Sequence, residues 1–216
     1  MSRLITFGCS NTYGEGLEDC WINNDSGPEP SKFAWPQLLA DNLNLECVNL
    51  SVPGTSNKQI CNDILNTDFE STDIVVIMWT FFSRTCFFQD EGRSKRVMVQ
   101  DITNKNIDRH KQKYNNTYYK TFYTQKNSNI ESCMYINLIQ LMLKEKKISN
   151  YHVSFYQTQG NLIVDLPLPK WSQTDIYDIS NSNIYYDKAL DGEHPGPKSH
   201  RAVFKKIKKH MKGKSK

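Results

Sequence analysis

The chain has 216 residues, 38% of them hydrophobic and 12% aromatic, which is enough apolar matter for one ordinary domain with a real core and excludes global disorder. No window approaches the roughly 18 consecutive apolar residues of a membrane-spanning helix. The net charge of +4 is uneven, with much of the excess in the tail KKIKKHMKGKSK from Lys205 to Lys216.

That basic tail reads as the solvated end of a C-terminal helix, where cations suit the helix dipole. A nucleic-acid or anionic-surface contact rests on the tail alone, so nucleic acid is not the expected partner. The start, MSRLITFGCSN, has no long apolar run before a small-residue cleavage site, and the expectation is a cytoplasmic protein. Cys9, Cys20, Cys47, Cys61, Cys86 and Cys133 are scattered, without a CxxC pair. Neither a zinc site nor a disulfide framework is expected, and the thiols read as small packing residues.

In chain order, RLITFGC (3–9) is a short apolar run closed by Gly8 and Ser10 and predicts a buried strand. Residues 18–32 are rich in Asp, Asn, Gly, Pro and Ser and predict a loop. FAWPQLLADNLN (33–44) has helical spacing of its apolar residues, and LECVNLSV (45–52) is a second strand stopped by Pro53 and Gly54. Residues 56–69 predict a helix with Ile60, Ile64 and Leu65 on one face and Ser56 as N-cap. TDIVVIMWTFF (72–82) is continuously apolar, as in a parallel strand buried on both faces. From about 89 to 128 the chain turns polar, lysine-rich and tyrosine-rich, which reads as a partly helical insertion over the sheet edge or the site. An amphipathic helix over 130–148, a strand over 151–158, a mostly loop stretch over 160–195 and a last helix over 198–212 follow.

This alternation predicts a single α/β domain over 1–216, with a central parallel sheet and helices on both faces. In such sheets ligands bind beyond the carboxyl ends of the strands. Ser10, Gly54, the stretch Thr80 to Arg84 and the segment after Thr158 should therefore meet in one crevice.

A serine hydroxyl at a strand end is either a helix cap or a nucleophile, and a nucleophile needs a base held by a third group. Of the five histidines, His194 alone sits in a turn, ALDGEHPGPKSH, with an acid three residues before it. Residues at i and i+3 share a face, so the Asp191 carboxylate reaches Nδ1 and leaves Nε2 for a serine.

These stretches resemble the SGNH/GDSL hydrolase family over nearly the whole chain. FGCSNTYGEG is similar to its first block, with Ser10 in the nucleophile position. VNLSVPGTSN is similar to the second, with Gly54 where a backbone N–H helps form the oxyanion hole. IVVIMWTFFSR falls where the third block belongs, and DGEHP is similar to the last, with Asp191 and His194 as acid and base. The resemblance implies a three-layer α/β/α sandwich that hydrolyses esters of lipids, carbohydrates or small acyl groups without a metal or organic cofactor.

Two departures stand out. Cys9 replaces the first-block aspartate; strand alternation points it away from Ser10. The third block has no asparagine, only Met78-Trp79-Thr80-Phe81-Phe82, which leaves the N–H groups of Ser10 and Gly54 as oxyanion donors. Asn11, Thr80, Ser83 and Arg84 stand as replacements, with Arg84 either at the crevice or in a salt bridge at the strand end. Asn57 lines the pocket or caps a helix, and Trp171 walls the substrate site. The expectation is a serine esterase acting on a small-molecule or carbohydrate ester, with small acyl groups favoured. The alternative is a binding or structural protein of the same fold with weak or no turnover.

Overall fold

The computed structural model describes residues 2–23, 25–88, 94–97, 109–154, 176–179 and 184–214. Five strands form one parallel sheet: β1 (Arg3–Phe7), β4 (Glu46–Asn49), β5 (Ile74–Trp79), β8 (Ser149–Ser154) and β9 (Ile176–Asp178). The order across the sheet is β4-β1-β5-β8-β9. Leu4 lies opposite Ile74 and Phe7 opposite Ile77, while Arg3 lies opposite Glu46.

The side-chain period of two divides each strand between two cores. Ile5, Phe7, Val75, Ile77 and Trp79 point to the face covered by α3 (Asn57–Leu65) and α5 (Gln125–Glu145). Leu4, Val76, Met78 and Val153 point to the face covered by α2 (Trp35–Leu43) and the last helix, α6 (Pro197–Lys214). The result is the three-layer α/β/α arrangement. Trp35, Trp79, Leu39, Ile60 and Ile136 are fully buried in it.

Local chemistry sets the helix ends. The Ser56 hydroxyl accepts the Gln59 N–H at 3.2 Å, capping α3. Thr124 caps α5 by accepting from Asn127 N at 3.1 Å. Asn44, with φ +56°, closes α2 in the left-handed region. His200 joins α6 to α2: it is buried, and its Nδ1 accepts the Trp35 N–H at 3.1 Å.

Several boundaries differ from the sequence reading. The first strand ends at Phe7 rather than Cys9, because Ser10 already begins a four-residue helix, α1 (Ser10–Tyr13). The expected loop at 18–32 contains a small antiparallel pair, β2 (Trp21–Ile22) with β3 (Asp25–Ser26). A second pair, β6 (Thr85–Phe88) with β7 (Ser94–Val97), opens the polar segment, and α4 (Arg109–Thr121) follows in it. Helix α5 starts at Gln125, not 130, since its polar first turn QKNSN is held by the Thr124 cap and shows no apolar period. The end assigned to the insertion, 128, thus falls inside a helix. β9 emerges from the stretch read as loop. The rest of the insertion, 89–93 and 98–108, lies outside the described residues, as do 155–175. No helix among the described residues is long and apolar enough to cross a membrane.

Candidate active site

The chain leaves β1 to one side, forms β4, and returns to the other side of β1 as β5. This reversal falls at the carboxyl ends of β1 and β5, where open α/β sheets bind their ligands. Ser10 stands at the first and Thr80 just past the second.

The turn after β1 is tight. A Cβ on Gly8 would stand 2.1 Å from Thr12 Oγ1, so the chain turns there only without a side chain. Cys9 occupies the N-cap position of α1 with extended backbone and no side-chain cap bond. Ser10 is the first helical residue and is 6% exposed, as is Asn11. Ser10 O accepts the N–H of Gly14 at 2.9 Å and that of Glu15 at 3.1 Å. Gly14 and Gly16 both have positive φ, +85° and +83°, which turns the chain sharply on either side of Glu15. The segment after β4 runs beside this turn, with Val52 N donating to Gly8 O at 3.1 Å, and reaches Gly54 at φ +67°.

The loop that carries Asp191 and His194 hangs from the start of α6. Asp187 accepts the N–H of Lys198 at 2.9 Å and of Ser199 at 2.9 Å, serving α6 as a remote N-cap. Burial pushes this carboxyl up, but the N–H of Lys198 and the bonds from Ser199 outweigh it and hold Asp187 below the usual range. From there Ala189 N donates to His194 O at 2.9 Å and Gly196 N to Asp187 O at 3.0 Å, closing residues 187–196 into a pinned loop. Within it Asp191 Oδ2 meets His194 Nδ1 at 2.5 Å, while Oδ1 accepts the N–H of Glu193 at 2.9 Å and of His194 at 3.0 Å. Burial raises the Asp191 pKa, and these N–H groups and the imidazole overcome that and lower it, so the carboxylate is ionised at neutral pH.

The two loops lock together. Leu190 N donates to Gly16 O at 2.9 Å. A Cβ on Gly16 would stand 2.6 Å from the Asp191 carboxyl carbon. The free side of the imidazole faces Glu15, with His194 Nε2 3.4 Å from Glu15 Oε2. Neither Glu15 nor Gly16 emerged as a site residue from the sequence. The only signal was the GEG spacing, which turns a carboxylate out between two left-handed glycines.

The end of β5 is braced from within. Asn57 sits one residue inside α3, so Ser56 rather than Asn57 is the cap. The Asn57 amide spans the Thr80 backbone, Oδ1 accepting Thr80 N–H at 2.9 Å and Nδ2 donating to Thr80 O at 3.1 Å. Asn57 is 1% exposed and Thr80 0%, which makes them crevice supports rather than an exposed wall. Arg84 is half-buried; its Nη1 donates to Thr80 Oγ1 at 3.0 Å and its guanidinium lies 4.9 Å from the Phe81 ring centre. Among the described residues Arg84 makes no ion pair, so the strand-end salt bridge considered for it is absent there. Trp171 lies outside the described residues.

The described residues contain no cluster of three His, Cys, Asp or Glu side chains arranged to hold a metal. All six thiols are free, and burial pushes Cys47, Cys61 and Cys133 up to about 11, which leaves them protonated packing groups.

The parallel five-stranded sheet between two helical layers is the α/β/α fold found in SGNH (G-D-S-L) hydrolases, and this chain has that fold. Among solved structures it is similar to an acetyl xylan esterase, Est2A, from the rumen bacterium Butyrivibrio proteoclasticus, at 12% identity and TM-score 0.58 over 99% of this chain and 64% of that one. It is also similar to a carbohydrate esterase at 11% identity and TM-score 0.56, over 98% and 65% of the two chains. A protein assigned to the G-D-S-L lipolytic family from Desulfitobacterium hafniense aligns at 12% identity and TM-score 0.50, over 96% and 98%. The chain thus spans just under two thirds of the length of the two esterases. No family model matches the chain, and no curated protein matches it in sequence.

Proposed function

We propose that the chain is a serine hydrolase that cleaves an ester, with a small acyl group or a carbohydrate ester favoured. The observation that carries this reading is the Asp191–His194 pair, 2.5 Å apart and locked by Gly16 onto the loop that follows Ser10. Ser10 Oγ attacks the acyl carbon as His194 Nε2 takes its proton, and Asp191 holds the tautomer and stabilises the imidazolium. The oxyanion is bound by the N–H groups of Ser10 and Gly54. Collapse expels the alcohol, protonated by His194, and leaves an acyl-serine. Water activated by the same imidazole then releases the acid. The likeness to esterases that act on acetylated xylan and other carbohydrates supports the substrate class.

A second reading, a weak or inactive binding protein, has two observations in its favour. Thr80 stands where the third-block asparagine belongs, and Glu15 faces the nitrogen that must receive the serine proton. Hydrolysis of p-nitrophenyl acetate separates the two. The hydrolase reading expects turnover that falls by about 10⁴-fold or more in Ser10→Ala. Equal rates for the native chain and that variant support the binding protein instead.

A further inference from the structure

On the α3–α5 side of the sheet, a cavity of about 720 Å³ opens between Lys58 of α3, β6, α4 and α5. Its size falls among ordinary ligand sites, about 300–1,000 Å³. We infer that it is a carbohydrate-binding site, distinct from Ser10, which takes pyranose rings of a neutral oligosaccharide.

Five aromatic rings line it: Phe87, Tyr114, Tyr118, Phe122 and Tyr135. Phe87 holds Tyr114 and Tyr118 edge-to-face, each at 5.9 Å between ring centres, so this wall is built before any ligand arrives. Phe122 stands at the rim with 68% of its surface exposed. Between the rings lie hydrogen-bonding groups of both kinds. Lys58 and Lys113 are donors, and neither is in an ion pair among the described residues. Glu131 is an acceptor, held by the Asn127 amide at 2.9 Å. Burial pushes Tyr135 up to about 12 and raises Tyr118 as well, so both remain neutral phenols.

A pyranose has an apolar C–H face and an edge of hydroxyls that both donate and accept. The ring faces suit the first and the Lys–Glu–Asn set suits the second. A long acyl chain would strip water from two ammonium groups and a carboxylate without replacing it. A nucleotide phosphate would find Lys58 and Lys113 as well as the Glu131 carboxylate, so AMP is the competing ligand that the titration must exclude. The cavity shares chain segments with the end of β5: Lys58 follows Asn57, whose amide braces Thr80, and Thr85 follows Arg84. The inference stands whether or not Ser10 turns over an ester.

Calorimetric titration of full-length Ser10→Ala with xylohexaose and with cellohexaose tests it, with AMP as a third titrant. The expected result is binding of at least one hexaose with Kd below about 1 mM. Phe122→Ala and Tyr114→Ala each weaken it about tenfold or more, AMP does not bind, and thermal melts show both variants folded. Lys113→Ala, at an exposed position, serves if Tyr114→Ala melts early. Absence of hexaose binding, hexaose binding untouched by these variants, or AMP binding that they abolish would each overturn the site. Hydrolysis of p-nitrophenyl acetate by the native chain needs no sugar, so failure of the carbohydrate site and failure of the esterase reading are told apart.

Discussion

Gly16 has no side chain because Asp191 leaves no room for one. Its φ of +83° disfavours any L side chain, and a Cβ would press on the carboxylate. Gly16→Ala is expected to cost about 1–3 kcal/mol in thermal unfolding and to lower esterase activity by displacing Asp191. Asp191→Asn keeps the shape of the loop but loses the charge that fixes the His194 tautomer; kcat should fall by about 10⁴ with the fold intact by circular dichroism. Glu15 competes for the free side of the imidazole at 3.4 Å, across a partly exposed gap. An exposed pair of this kind is worth at most about 1 kcal/mol. Glu15→Ala should therefore raise kcat/KM for p-nitrophenyl acetate by up to about fivefold; a loss of rate would instead give Glu15 a supporting part in the reaction.

At the scale of elements, α6 is tied to α2 by a histidine that must stay neutral, since Nδ1 accepts the Trp35 N–H. Burial drops the His200 pKa from 6.5 to about 4, the Asp187 charge opposing this only in part. The unfolded chain binds this proton more tightly than the folded one. Stability from this group is therefore complete above about pH 6.5 and is lost as pH falls toward 4, by about 3 kcal/mol in all. Melting temperatures measured between pH 7 and 4 should show the fall, with a shallower slope in His200→Gln. Asn57→Ala removes both partners of the buried Thr80 backbone and is expected to cost about 1–3 kcal/mol in denaturant unfolding.

The same scale separates what a sequence displays from what it hides. The apolar runs of β1 and β5 and the periods of α2, α3 and α6 were legible because burial imposes them residue by residue. β9, with the pattern IYD, and the first turn of α5 carry no such period; strand pairing and a threonine cap hold them instead. His200 reads as one more residue of a basic helix until α2 is packed over it. The Asp191–His194 spacing was legible because it is local, whereas the approach of Glu15 and Gly16 to that pair exists only once the chain has folded back.

For the whole molecule, the order β4-β1-β5-β8-β9 does the positioning. It sets the Ser10 turn beside the end of β5, while the Asp191–His194 loop, carried on α6, packs against Glu15 and Gly16 further along the same segment. The sequence offers no third-block asparagine, and the Thr80 backbone at the end of β5 is bonded to Asn57, so in the proposed reaction the oxyanion rests on the N–H groups of Ser10 and Gly54. Loss of one donor typically costs about 10²–10³ in turnover, so the proposed esterase is expected to be slow. Labelling with a fluorophosphonate, followed by peptide mass spectrometry, tests the central claim without requiring fast turnover. The account predicts a single phosphonylated residue, Ser10, with labelling lost in Ser10→Ala and strongly slowed in His194→Ala. A native chain that takes up no label, or carries it on Cys9 or elsewhere, would contradict it.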